Sequence, residues 1–180
     1  MKIYLFLLLN IIFFVNVYSY LNITAQSGDN PIKIEFIVID SKGNQTGFLS
    51  FEPDEDEPNE MLRTSVENIP NTSYTHNAIG LVNQETNEIM TNVVPEDIVF
   101  VMSDVAKDTY TIRFIGLDNS TFTVKIKMRD ENKIENIYYK SFISSRTTQE
   151  LNLFLDPTPG APPPVLTKVV TFQTIKEDIE

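Results

Sequence analysis

The sequence contains no cysteine, no tryptophan and a single histidine, His76. Without cysteine no disulfide can support the fold, so its apolar core must suffice, and transition-metal sites built from cysteine and histidine are excluded by count. A serine-hydrolase triad would need His76 as its base, but no Gly-x-Ser-x-Gly segment accompanies it. A lone histidine is more often a surface or turn residue. We therefore predict no catalytic residue, no cofactor and no metal site.

Basic side chains are also scarce. Fourteen lysine and arginine residues stand against 25 aspartate and glutamate residues, which gives a formal net charge of -11. Such a chain lacks the basic surface that displaces counterions from nucleic acid, so we predict no nucleic-acid partner. The acidic run at residues 54–57 (DEDE) has carboxylates of the kind that Ca²⁺ prefers, but not the spaced ligands and central glycine of an EF-hand. We interpret this run as a solvated loop.

Long hydrophobic runs are rare as well. Residues 4–15 form a mostly apolar run of about a dozen residues, which is shorter than the roughly 20 that cross a bilayer. Lys2 precedes this run and the small residue Ser19 follows it, so residues 1–19 indicate a secretory signal peptide rather than a membrane anchor. We expect the mature chain from Tyr20 to be soluble and to have the size of one domain or two small ones.

Residues 109–128 (TYTIRFIGLDNSTFTVKIKM) have the most regular pattern in the chain. Apolar and polar side chains alternate on both sides of a Gly-Leu-Asp-Asn-Ser segment, at the period of a strand with one buried face. Glycine, aspartate and asparagine between the two runs supply turn chemistry. We predict a β-hairpin with a lysine and threonine face and an apolar face that buries Phe114, Phe122, Val124 and Ile126 together.

Short alternating segments fill the rest of the chain, and none has a sustained helical period. Residues 32–51 predict a second hairpin, in which Lys33 and Glu35 begin a polar face. Strands at this spacing predict an all-β, antiparallel β-sandwich of immunoglobulin-like type with at least about eight strands. The alternative is two small β units.

The predicted organisation has four parts: a signal peptide at residues 1–19, an N-terminal β segment at 20–74, the β-sandwich at 75–156 and a proline-rich, juxtamembrane-like tail at 157–180. Residues 156–164 (DPTPGAPPP) open this tail. Proline lacks the backbone N–H that a sheet requires, so we expect this segment to be an extended spacer.

Four Asn-x-Ser/Thr triplets could accept N-linked glycans in a secreted chain, namely those at Asn22, Asn44, Asn71 and Asn119. Each lies in or beside a predicted turn or strand edge, where a glycan can project. Asn119, in the turn of the predicted central hairpin, is the best presented of the four. These triplets favour a location in the lumen of the secretory pathway, but they do not identify a function.

Four segments of the second half carry motifs in a definite order. They are residues 75–88 (THNAIGLVNQETNE), 108–117 (DTYTIRFIGL), 151–157 (LNLFLDP) and 163–172 (PPVLTKVVTF). Together they resemble ribophorin II, the delta-type accessory subunit of the eukaryotic oligosaccharyltransferase. The chain departs from the family's motifs in two places. Glu88 comes one position early, and Asp108 stands where glycine is usual.

The resemblance implies a non-catalytic lumenal subunit that supports protein N-glycosylation in the endoplasmic reticulum by packing against other oligosaccharyltransferase subunits. We expect an edge strand or the face with Lys125 and Lys127 to contact such a partner. Family members continue after the position of Phe172 into membrane helices, whereas residues 173–180 are polar. This departure implies either a truncated gene model or a soluble relative.

Two other interpretations remain open. A secreted adhesion or ligand-binding module would place its function in the loops of the sandwich. A lumenal cargo adaptor of the early secretory pathway would normally carry paired cysteines, a coiled coil and a membrane helix, none of which the sequence contains, so we rank it last.

Overall fold

A computed structural model describes residues 20–27, 33–53, 61–78, 95–129, 134–158 and 161–169. The regular structure of these residues is entirely β. The strands are β1 (Tyr20–Ser27), β2 (Ile34–Ile39), β3 (Gln45–Pro53), β4 (Met61–Glu67), β5 (Thr72–Ala78), β6 (Pro95–Ser103), β7 (Asp108–Gly116), β8 (Ser120–Arg129), β9 (Ile134–Ile143), β10 (Thr148–Leu155) and β11 (Val165–Val169). The predicted signal peptide, the acidic run 54–57, residues 79–94 and residues 170–180 lie outside the described part of the chain.

These strands form two antiparallel sheets that pack on one another. Sheet A has the order β5-β6-β1-β8-β9, and sheet B has the order β11-β10-β7-β2-β3-β4. One hydrophobic core draws its buried side chains from both sheets. The predicted all-β class and antiparallel β-sandwich are confirmed, while the immunoglobulin-like subtype stays a prediction. Strands from residues 20–74 and from residues 75–156 contribute to both sheets.

The core is built largely by alternation along the strands, although β2 has five consecutive buried residues, Ile34 to Val38. In β7 and β8 every second side chain is buried and the intervening ones are not. Phe114, Phe122, Val124 and Ile126 have no exposed surface and belong to the same cluster, as predicted. The Phe114 ring centroid lies 4.9 Å from that of Phe122 and 5.8 Å from that of Phe36, so an aromatic row crosses the core.

The predicted hairpin over residues 109–128 is wrong. β7 pairs with β2 and β10 in sheet B, whereas β8 pairs with β1 and β9 in sheet A. Residues 117–119 therefore carry the chain across the core, and Phe114 meets Phe122 between the sheets. The alternation of apolar side chains is the same in a hairpin and in such a crossing, so the pattern could not distinguish them.

A second crossing, between β9 and β10, explains how the first is held. The Gly116 N–H donates to the Thr147 carbonyl at 2.9 Å, and the Ser145 N–H donates to Asn119 Oδ1 at 3.0 Å. The two crossings approach closely because residue 116 is glycine. A Cβ atom there would lie 2.2 Å from the Ser144 carbonyl oxygen, a distance that no side chain can adopt.

The predicted hairpin over residues 32–51 is confirmed, because β2 and β3 pair antiparallel. Gly47 allows β3 to pass close to β2. Its φ is +139°, and a Cβ atom there would lie 2.5 Å from the Phe36 carbonyl oxygen. β3 pairs with β2 at residues 45–47 and with β4 over most of its length.

The proline-rich segment departs from the sheets and then returns to sheet B. Residues 156–158 and 161–164 form no strand, as the missing N–H groups of proline predict. The segment begins at an ion pair of 2.7 Å between Lys107 Nζ and Asp156 Oδ2. Hydrogen bonds from Lys107 and Thr158 lower the pKa of the Asp156 carboxyl to about 2. Within the predicted tail, β11 pairs antiparallel with β10 at the edge of sheet B.

Candidate functional site

The outward face of sheet A carries a cluster of cations that the cross-strand register brings together. Lys125, Lys127 and Arg129 alternate along β8 with buried residues, so all three point away from the core. On the neighbouring β9, Lys140 is opposite Thr123 and points the same way. We call these four side chains the basic face. The sequence predicted the first two residues, and the structure adds Arg129 and Lys140.

Within the described strands β1, β8 and β9, no carboxylate shares the outward side with the basic face. The outward positions of β1, β8 and β9 hold hydroxyl, amide, aromatic and apolar side chains besides the four cations, but no aspartate or glutamate. All five ion pairs formed between described residues lie elsewhere. A positive surface thus stands on a chain whose formal net charge is -11.

Aromatic and apolar side chains accompany the cations on β9, which forms one edge of sheet A. Tyr138 is 66% exposed, and Ile134 and Phe142 are exposed on the same outward row. Lys125 Nζ lies 5.8 Å from the centre of the Tyr138 ring, within reach of a cation–π interaction. Large rings and aliphatic side chains that stay exposed beside cations are typical of a surface for another molecule.

A second polar cluster lies in the interior, where Glu35 is fully buried. The Tyr74 hydroxyl donates to Glu35 Oε2 at 2.6 Å, and His76 Nε2 lies 3.0 Å from the same oxygen. Arg63 Nε pairs with Oε1. The cluster joins β2 and β4 of sheet B to β5 of sheet A, and burial together with the Glu35 charge raises the pKa of Tyr74.

Sequence reasoning missed this interior cluster. It placed Glu35 on a polar face and treated His76 as a surface or turn residue, and both interpretations are wrong. His76 lies within β5 and its side chain is only 19% exposed, while Glu35 has no exposed surface. A weak signal existed, because Glu35 is flanked on both sides by residues of the apolar strand IEFIVI. Its partners come from β4 and β5, so only the fold could reveal them.

The four predicted glycan acceptors occupy different surroundings. Asn22 lies within β1 on the outward face, opposite Lys127, and its Oδ1 accepts a hydrogen bond of 2.9 Å from Thr24. Asn44 follows the turn before β3 and donates from Nδ2 to Asp40 at 2.7 Å.

Asn71 and Asn119 are both exposed, at the β4–β5 turn and the β7–β8 crossing. The Nδ2 atom of an acceptor asparagine carries the glycan. The hydrogen bond of Asn119 uses its other side-chain atom, because Oδ1 accepts from the Ser145 backbone N–H. Asn119 lies at a crossing rather than in a hairpin turn, and its rank as the best-presented acceptor stays a prediction.

An open cavity of about 260 Å³ lies between the proline-rich segment and the end of sheet A. Its walls are mostly apolar and include Val105, Met128 and Leu155, with Pro162 to Pro164 on one side. Arg129, which belongs to the basic face, lines the same cavity. A small, partly apolar ligand would fit this volume.

The described residues lack two further features. No group of three or more histidine, aspartate and glutamate side chains there could hold a metal ion. Among these same residues no helix is long and apolar enough to span a membrane.

The fold and its basic face therefore define a β-sandwich with an exposed, positively charged sheet surface. No family model, no curated protein and no solved structure matches the chain.

Proposed function

We propose that this chain is a non-catalytic lumenal subunit of the oligosaccharyltransferase complex, which supports protein N-glycosylation in the endoplasmic reticulum by contact with other subunits. The observation that carries the proposal is the basic face, which stands on an acidic chain and shares the outward rows of β1, β8 and β9 with no aspartate or glutamate. A charged face of this kind complements an acidic surface on another protein, because opposite potentials orient two proteins as they associate.

The placement of the motif segments supports the same function. Three of the four motif segments lie in sheet B: residues 108–117 contain β7, residues 151–157 include the second half of β10 and residues 163–172 contain β11, and these strands are neighbours. The described part of the fourth segment, residues 75–78, lies in β5 of sheet A. Three motifs that are distant in sequence thus lie on one side of the sandwich, as expected if a family shares that side. The outward face of sheet A, on the other side, stays available for a partner.

Co-purification tests the proposal. We expect tagged chain expressed in eukaryotic cells to co-purify with oligosaccharyltransferase subunits, and the Lys125→Glu/Lys127→Glu variant to lose at least about 90% of them. Lys42→Glu/Lys168→Glu is the matched control, because it changes the net charge equally at two exposed positions away from the basic face. Oligosaccharyltransferase subunits at background level with the wild-type chain would overturn the proposal.

A secreted ligand-binding module is the second candidate, and the cavity under the proline-rich segment favours it. In that case a fragment screen by NMR should find compounds that shift the methyl signals of Val105 and Met128. The variant Ala161→Trp, which would place an indole ring at the cavity wall, should abolish those shifts. A screen without a hit at these methyl groups would remove this candidate.

A further inference from the structure

The edge of sheet A beside the basic face has a second property, which concerns the backbone. In the described part of the chain β9 pairs only with β8, over the register from Ser120 opposite Ile143 to Arg129 opposite Ile134. A strand with one paired side presents every second N–H and C=O group on its free side. β9 is ten residues long, and although the Phe142 carbonyl near its end already accepts a hydrogen bond from Gln149 Nε2, the residues before Ser141 offer a template for another strand.

The two faces of β9 differ in what they would offer an added strand. On the outward row, Tyr138 and Lys140 are exposed beside Lys125 of β8. On the inward row, Ile137 and Tyr139 are only partly buried and pack against the edge of the core. A strand that continued the sheet would place its own side chains alternately beside the outward row of β9, in which Lys140 is the cation, and beside this incomplete apolar surface.

We propose that β9 binds an extended, acidic polypeptide segment as an additional strand of sheet A. Its carboxylate side chains alternate with apolar ones, so that the carboxylates lie next to Lys140, with Lys125 one strand further in, and the apolar side chains cover Ile137 and Tyr139. Backbone hydrogen bonds to β9 supply affinity and the alternation supplies specificity. The inference deepens the proposed function, on which it rests for the expectation that the chain works by contact with other proteins.

Charge and geometry favour this occupant over two others. A second copy of the chain would bring its own Lys125 and Lys140 to the same edge, and like charges next to each other are destabilising. A sulfated polysaccharide would match the cations, but it has no backbone to pair with β9 and no apolar side chain for Ile137. Only an acidic strand would pair with the cations, form hydrogen bonds with free backbone groups of β9 and also cover Ile137.

The test uses two synthetic decapeptides, one alternating glutamate with valine and the other alternating lysine with valine. We expect the mature chain to bind the glutamate peptide, measured by fluorescence anisotropy, and to bind the lysine peptide at least tenfold more weakly. Lys125→Glu/Lys140→Glu should weaken binding of the glutamate peptide at least tenfold, and the control Lys42→Glu/Lys168→Glu should change it less than twofold. Raising the salt concentration should weaken binding, since exposed charges are screened.

Hydrogen exchange followed by NMR distinguishes strand addition from simple charge attraction. With the glutamate peptide bound, we expect exchange to slow at every second amide of β9 and to stay unchanged at the edge strand β4. Uniform protection, or none, would overturn strand addition even if the peptide binds. Sedimentation that shows a dimer which excludes the peptide would favour the second copy, and binding of heparin in preference to the peptide would favour a polysaccharide. Either result would overturn the proposal.

The two proposals can fail separately. The peptide titration uses purified chain and needs no oligosaccharyltransferase, whereas co-purification needs no knowledge of the binding mode. Loss of co-purification with intact peptide binding would contradict the proposed function alone. Co-purification with the complex but no binding of the peptide would contradict strand addition alone.

Discussion

Replacement of Glu35 by glutamine would test how the two sheets are tied together. The substitution keeps the size of the side chain but removes its charge and replaces one acceptor oxygen by an N–H donor. The two oxygens of Glu35 serve different donors, since Tyr74 binds Oε2 and Arg63 binds Oε1. In the variant neither donor keeps a charged acceptor, and one of the two meets an N–H donor instead of an oxygen.

Glu35→Gln should lower the free energy of unfolding by about 3 kcal/mol. This is the lower end of the roughly 3–5 kcal/mol that breaking a buried ion pair costs. We choose the lower end because Arg63 and His76 are partly exposed, at 29% and 19%, and can recruit water. For a chain of this size the loss corresponds to a fall in Tm of roughly 6–12 °C. Tyr74→Phe removes one hydrogen bond to a charged group and should cost about 1.5–3 kcal/mol.

Denaturant unfolding, followed by circular dichroism, would measure both losses. Lys33→Gln is the control, because it removes an exposed ion pair with Asp118 that should contribute at most about 1 kcal/mol. In a double-mutant cycle, Glu35→Gln and Tyr74→Phe should be coupled by at least about 0.5 kcal/mol, since the two groups are in contact. The claim that Glu35 ties the two sheets together would be refuted by either of two results. Glu35→Gln could lower the free energy of unfolding less than Lys33→Gln does, or the cycle could show no coupling between Glu35→Gln and Tyr74→Phe.

Four further predictions follow from the core, the crossing, the buried phenols and the glycan acceptors. Phe122→Ala should cost about 3–5 kcal/mol in denaturant unfolding, because its ring is fully buried, and a loss near zero would place the ring at the surface. Gly116→Ala should reduce the yield of folded protein in an expression trial, since the added Cβ would overlap the Ser144 carbonyl, and wild-type yield would contradict the close crossing. Burial and the Asp108 charge raise the pKa of Tyr110 from 10.0 to about 12, so the free energy that this shift contributes is present below pH 10 and is lost as the pH rises through 12. Absorbance of tyrosinate during an alkaline titration should show this late ionisation, and Tyr110→Phe should remove it. Glycopeptide mass spectrometry should find Asn119 modified and Asn22 bare, because a glycan on Asn22 would cover the basic face beside Lys127; the reverse pattern would contradict that account.

The alternation of side chains made the class of fold predictable. Buried and exposed residues follow one another along β7 and β8 as the sequence pattern requires, so the core residues Phe114 and Phe122 could be named in advance. The partner of each strand could not be named. A run of five residues between two strands permits either a hairpin or a crossing, and the choice depends on contacts with the β9–β10 connection, which is distant in sequence.

The candidate site was predictable to the same extent. The position of Lys125 and Lys127 on an outward face follows from period-2 alternation alone. The addition of Lys140 depends on the register of β9 against β8, which no local pattern specifies. Glu35 was the hardest to predict, because a charged residue is buried only when partners bind it, and Arg63 and Tyr74 lie on two other strands.

Site-specific photocrosslinking in cells would test most directly whether the basic face contacts the oligosaccharyltransferase. A photoreactive phenylalanine analogue would replace Tyr138, which is 66% exposed beside Lys125, and in a separate control would replace Leu62, which is 49% exposed on β4. We predict crosslinks from position 138 to an oligosaccharyltransferase subunit, mapped to an acidic segment, and none to that complex from position 62. Crosslinks to the complex from position 62 but not from position 138, or from neither position, would contradict the account.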